Sequence, residues 1–165
     1  MKKRARHLAH GAIMAALYAV LTHAQNILLP GSATWAIQFR LSEALCILAF
    51  FTPAAAPGLA AGCLLFNLTY GAALPLDWLV GSGATYLAAL SMYRLRRQST
   101  VGLLMPALFN ALLVGWELTV YIGGGFWLNA AYVAIGEAAV LLTLGTALYF
   151  AINRRNLQRH LFDRN

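Results

Sequence analysis

The sequence predicts an all-α integral membrane protein: a single domain over residues 1–165, built as a bundle of about six short transmembrane helices with both termini in the cytoplasm. Three observations carry that expectation. Of the 165 residues, 61% are hydrophobic and only 10% are charged, against roughly 25% charged in an average soluble domain, too few to wet the surface of a fold this size. The apolar residues come in runs close to the roughly 20 residues that cross a bilayer. The basic residues behind the net charge of +7 are gathered at the ends of those runs. Lys2, Lys3, Arg4 and Arg6 precede the first run, Arg94, Arg96 and Arg97 follow the fourth, and Arg154, Arg155, Arg159 and Arg164 follow the last; only Arg40 lies elsewhere. The positive-inside rule produces that clustering, whereas a nucleic-acid surface would interleave polar and aromatic residues with the charges, so no nucleic-acid partner is expected.

Helix 1 is expected over residues 8–27. A basic N-terminus before an apolar run is also the outline of a signal peptide, but the run over residues 8–29 is long for one, and a retained helix is expected. Leu29-Pro30-Gly31-Ser32 breaks the helix and opens a polar connection through Gln38 and Arg40. Helix 2 follows over residues 41–51 and stops before Thr52-Pro53. Helix 3 starts at Pro57, whose fixed φ suits a first helical position, and runs to Tyr70. Helix 4 is expected over residues 75–95, helix 5 over 101–122 and helix 6 over 128–152, with Pro106 kinking helix 5 or delaying its start. Six crossings put the Arg94–Arg97 loop on the same side as both termini; four, five or seven would strand one basic cluster on the far side.

Several chemistries are excluded by what the chain lacks. Cys46 and Cys63 sit inside apolar runs without a CxxC pattern, so neither a disulfide framework nor a zinc site is indicated. His7 and His10 share a helix turn but have no third ligand, and no metal site is expected. No nucleophile stands beside a base, and no GxxxxGK[ST] phosphate loop is present. The chain is therefore expected to be no enzyme and to bind no cofactor of its own; active transport would need an ion gradient or an ATPase on another chain.

The polar residues left over are one-sided. Gln38, Arg40 and Glu43 fall at the outer start of helix 2, Asn67 near the outer end of helix 3, and Asp77 and Trp78 at the outer start of helix 4. Asn110 lies near the middle of helix 5 and Glu117, seven residues on and so on the same face, near its outer end. Glu137 lies about two turns into helix 6. Each taken singly has a plain reading, Arg40 pairing with Glu43 and Asp77 and Glu117 sitting at the interface. Packing alone gives no reason to collect them in one half of the membrane, where a charge facing lipid costs at least a few kcal/mol, and together they point to a solute-binding hollow. Trp35, Phe39, Trp78, Trp116, Tyr121, Phe126 and Trp127 surround the same level as an interface belt, from which a flat-ring pocket could borrow one or two. On helix 1, Gly11, Ala12, Ala15, Ala16 and Ala19 make overlapping small-xxx-small spacings that either pack internally or receive a partner subunit. The basic residues up to Arg6 suit anionic lipid.

The stretch Ile37-Gln38-Phe39-Arg40-Leu41-Ser42-Glu43-Ala44-Leu45, then Pro57 to Cys63 with Asn67, Asp77 with Gly81-Ser82, Pro106 to Ala111, Glu117 and Gly136-Glu137 resembles the queuosine-precursor transporter (QueT) family over most of the chain. Members are S-components of energy-coupling factor (ECF) transporters of the bacterial cell membrane. The resemblance implies a six-helix bundle that captures its ligand from outside and works with a membrane T-component and two cytoplasmic ATPase subunits, which carry the ATP and magnesium. It implies docking of the T-component on the small-residue face of helix 1, around Ala12 and Ala16. The implied ligand is a 7-deazaguanine, the 7-aminomethyl form or queuine. A guanine-like edge offers two adjacent N–H donors to a carboxylate, for which Glu117 or Glu137 is expected, and its carbonyl needs a donor such as Arg40, Gln38 or Asn110. Asp77 or Glu43 would take a cationic aminomethyl arm. Uptake of another vitamin or heterocycle is the nearest alternative, and a small membrane enzyme the alternative from a different class.

Overall fold

The computed structural model of the protein describes residues 2–32 and 38–155, with only the backbone at Lys2 and Lys3. Trp35, Ile37, Arg159 and Arg164 lie outside the described residues. Among the described residues the helical segments fall into six rods. They are α1 (Lys2–Leu28), α2 (Leu41–Phe50), α3 (Ala55–Thr69), α4 (Pro75–Arg94), α5 (Ser99–Ile122) and α6 (Phe126–Arg154). Three of them, α1 from Arg4 onward, α5 and α6, are long and apolar enough to cross a membrane. The chain is thus an all-helical bundle suited to a membrane.

The starts and stops follow from local chemistry. Pro75 opens α4, whose first turn is closed when Asp77 Oδ2 accepts the Leu74 N–H at 2.6 Å. α5 is interrupted at Leu104 between Ser99–Leu103 and Met105–Ile122, one residue pair before Pro106, whose ring nitrogen cannot donate to the turn behind it. α6 carries one widened π turn at Leu141–Gly145. The second rod differs in kind from the expected α-helix: Leu41–Phe50 is wound as a 3₁₀ helix. At roughly 2.0 Å rise per residue, such a ten-residue rod is about 20 Å long, some two-thirds of a hydrocarbon core. Such a short element can carry polar side chains because its neighbours shield it.

By contact the rods follow one another as α1, α3, α4, α5 and α6, and α2 fits between the two ends, touching α1 and α6 as well as α3 and α4. Its residues Ser42, Glu43, Cys46, Ile47 and Ala49 are buried, and Ile47 joins Tyr18, Leu59, Cys63, Met92 and Leu141 in the main apolar core. The outer surface is the reverse of a soluble protein's. Leu8, Ile13, Val20, Leu79, Val120, Ile122, Ile135 and Leu142 are exposed, whereas Gln25, Gln38, Arg40, Glu43, Asn67, Asn110, Glu117, Asn129 and Glu137 are buried. Lipid is a solvent for the first set and would penalise the second.

Of the small residues on α1, Gly11 and Ala15 face α3, where Gly58 and Gly62 allow the two backbones to touch. Ala12 and Ala16 face outward, and Ala19 is half-buried. The stripe therefore divides into an internal half and a free half.

Candidate ligand-binding site

A cavity of about 230 Å³ lies among α3, α4, α5 and the segment ahead of α2. Each wall traces to a local feature of the sequence. The segment before α2 is extended at Arg40 (φ −82°, ψ 99°), which turns the Gln38 and Arg40 side chains into the hollow. Arg40 donates from Nη2 to Gln38 Oε1 at 3.2 Å and approaches Cys63 Sγ at 3.8 Å through Nη1. α3 contributes Asn67, whose Nδ2 donates to the Asp77 carbonyl oxygen at 2.7 Å and so ties α3 to the first turn of α4. Tyr70, just past the end of α3, adds a ring stacked on Phe66 with centroids 5.2 Å apart. α4 supplies Asp77 and α5 supplies Glu117 and Tyr121, one turn apart and therefore on one face. The Tyr121 hydroxyl accepts the Leu76 N–H at 3.0 Å, closing α5 onto the start of α4.

The carboxyls in this wall are not equivalent. Asp77 is half-buried and already engaged by its own helix N-terminus. Glu117 is 3% exposed and sits within hydrogen-bonding reach of the Asp77 carboxyl, and its Oε1 has no other partner among the described residues. A buried polar atom left without a partner costs about 1–3 kcal/mol, which sets Glu117 apart from the other groups of the wall.

A second polar layer lies deeper and does not line the cavity. Glu43 on α2 accepts from the Tyr18 hydroxyl and, at 3.0 Å, from the Cys46 thiol; the Thr85 hydroxyl stands 3.5 Å away. Asn110 on α5 lies beside Glu137 on α6. Apart from this approach to each other, both amide atoms of Asn110 and Oε2 of Glu137 are buried with no partner among the described residues. α6 can bring Glu137 this close because the preceding residue is Gly136, against which the Gln38 backbone packs.

Of the nine polar and aromatic residues expected to meet a ligand, the structure brings Gln38, Arg40, Asn67, Asp77 and Glu117 to one cavity. Asn110, Glu137 and Glu43 lie in the layer below, and Trp78 is exposed at the outer surface and not in the wall. Of the belt aromatics Tyr121 lines the hollow, while Phe39, Trp116 and Trp127 are exposed. Tyr70 and Gln25 were not singled out from the sequence as site residues. Tyr70 reads there only as a helix end, and the one sign of Gln25 is a lone amide late in an otherwise apolar helix.

No curated protein sequence and no solved structure matches the chain. The model of the QueT transporter family, in contrast, matches residues 8–154, from the first turns of α1 to the end of α6, and so takes in every residue of the cavity wall. A hollow walled by buried polar groups inside an apolar shell is what a solute carrier requires, and with nearly its whole length matched the chain belongs to the QueT transporter family.

Proposed function

We propose that this transport protein is the substrate-binding S-component of an ECF importer that captures a 7-deazaguanine, such as 7-aminomethyl-7-deazaguanine, from the outer face of a bacterial cell membrane. The single observation that carries the reading is that Glu117, with a buried carboxyl oxygen that has no partner among the described residues, lines a cavity that Arg40 and Asp77 also line. A volume of about 230 Å³ lies below the roughly 300 Å³ at which drug-sized pockets begin, which suits one small fused ring.

The chemistry of the wall supports the details. Glu117 would accept the two adjacent N–H groups of a guanine-like edge, and Arg40 or Gln38 would donate to its carbonyl. Asp77, whose second oxygen remains after the helix cap is made, would take a cationic arm. Tyr70 and Tyr121 flank the ring. Glu43 is spoken for by Tyr18 and Cys46 and holds α2 to α1, so it stays outside the contact set in this reading. Glu137 and Asn110 stand behind the wall as a polar floor.

In the same reading all six rods cross the membrane, with both termini and the Arg94–Arg97 loop in the cytoplasm, where their arginines obey the positive-inside rule. Ala12 and Ala16, the outward half of the α1 stripe, remain for a T-component, and two ATPase subunits supply Mg-ATP hydrolysis.

The deciding experiment is thermal unfolding of the purified protein against a panel of deazaguanines, guanine and vitamins. A true ligand at 100 times its Kd adds about 2.7 kcal/mol to the folded state and raises Tm with concentration. A deazaguanine is expected to do so, and Glu117→Gln is expected to weaken its binding more than tenfold. A rise with vitamins alone, or Glu117→Gln binding like wild type, overturns the assignment.

A further inference from the structure

Gln25 of α1 lines no part of the cavity, yet it is 3% exposed and each of its side-chain polar atoms is committed to the segment that does. Its Oε1 accepts the Leu41 N–H at 2.8 Å. Its Nε2 donates to the Phe39 carbonyl oxygen and, at 2.9 Å, to Ser32 Oγ. One rung further along, the Phe39 N–H donates to the Ser32 carbonyl oxygen at 3.0 Å. The Gln25 amide therefore acts toward Phe39 and Leu41 as the peptide group of a neighbouring strand would, with one acceptor and one donor reaching the backbone on either side of residue 40. Leu41 begins a helix, so its N–H has no partner within that helix and would otherwise be left unpaired. From the opposite side the segment is backed by α6, where a Cβ on Gly136 would collide with the Gln38 carbonyl.

These contacts bracket Arg40, the one cation in the cavity wall among the described residues. We propose that Gln25 is a positioning residue for ligand capture: its amide fixes the backbone on both sides of Arg40 and thereby holds the guanidinium in the wall. The inference rests on the cavity being the ligand site and adds to it a residue that touches no ligand.

A double-mutant cycle tests it, with 7-aminomethyl-7-deazaguanine as the probe. Gln25→Met keeps the length of the side chain and removes every hydrogen bond; it is expected to weaken binding at least tenfold. Arg40→Ala is expected to weaken binding further, and adding Gln25→Met to it should cost nothing more. Combined with Asp77→Asn, the Gln25→Met loss should instead multiply in full, since those two groups are independent. Gln25→Glu, which keeps the acceptor for the Leu41 N–H and loses the donor to Phe39, should fall between wild type and Gln25→Met. It also serves if the methionine variant fails to fold. Losses that multiply with Arg40→Ala, or an unchanged Kd in both Gln25 variants, overturn the proposal. A second arm needs no ligand: hydrogen exchange at the Leu41 amide of the ligand-free protein should be at least tenfold faster in Gln25→Met, with α5 amides unchanged. Equal exchange also overturns the proposal, and this arm stands even if no deazaguanine binds the wild-type protein, in which case the functional reading alone is lost.

Discussion

Gly62 of α3 lies directly against Ala15 of α1: a Cβ built on Gly62 would stand 2.6 Å from the Ala15 carbonyl oxygen. Gly58, one turn earlier, meets Gly11 in the same way at 2.7 Å. In lipid, where no hydrophobic force separates helix from solvent, such backbone approach is a main source of helix association. α3 is the platform for Asn67 and Tyr70, so this contact sets one wall of the cavity.

The two sides of the contact differ, and so should their variants. Gly62→Ala forces the backbones apart and is expected to destabilise the protein by about 1–3 kcal/mol. Gly11→Ala meets nothing nearer than 3.6 Å and should be neutral, or stabilising by the roughly 0.5–1 kcal/mol of helix preference of Ala over Gly. Thermal unfolding in one detergent compares them; equal Tm values for the two variants would contradict the packing described.

Tyr18 separates stability from binding. Its hydroxyl donates to Glu43 in the layer beneath the cavity, and the ring is fully buried in the core. Tyr18→Phe leaves Glu43 with one donor fewer in a buried site, a cost of about 1–3 kcal/mol in stability. Ligand affinity should change less than threefold, because neither residue reaches the cavity. A tenfold loss of affinity with unchanged Tm would place Glu43 in the ligand shell instead.

Asp77 gives the opposite pattern. Its Oδ2 accepts the Leu74 N–H at the start of α4, a role the Asn oxygen can keep, and Asn is as good a capping acceptor as Asp. Asp77→Asn should therefore leave the stability within about 0.5 kcal/mol of wild type, the range of benign substitutions. Affinity for an amine-bearing deazaguanine should drop about tenfold, and affinity for an analogue without the arm should hardly move. Isothermal titration with the pair of ligands reads the difference.

Thiol labelling in intact cells checks the orientation. Cys46 and Cys63 are fully buried, so the native protein should give little background with a membrane-impermeant maleimide. Ala72→Cys, exposed in the α3–α4 loop and lining the cavity, should label from outside and be slowed by ligand. Gln98→Cys, exposed in the α4–α5 loop, should label only after the membrane is opened. The reverse pattern would invert the topology.

Much of this architecture was legible in the chain because lipid imposes simple rules on one dimension. Apolar runs, the breakers at Pro30 and Pro53, and the arginines at the run ends locate the helical rods to within a few residues; α1 starts earlier than expected, at Lys2, and α2 ends at Phe50. The same rules mark Arg40, Asp77 and Glu117 as groups that must face inward, since a charge in hydrocarbon is costly wherever the rod happens to pack. What periodicity could not supply was which polar groups find one another. That Glu43 is consumed by Tyr18 and Cys46 depends on how α2 seats against α1, and that Glu117 keeps an oxygen without a partner among the described residues depends on how α5 packs on α4. The 3₁₀ winding of α2, the Gly58 and Gly62 contact with α1, and the grip of Gln25 on the backbone around Arg40 are likewise decided by packing. Burial and hydropathy are properties of single residues and survive in the sequence; partner choice among buried polar groups is a property of pairs distant in the chain, fixed only when the helices meet.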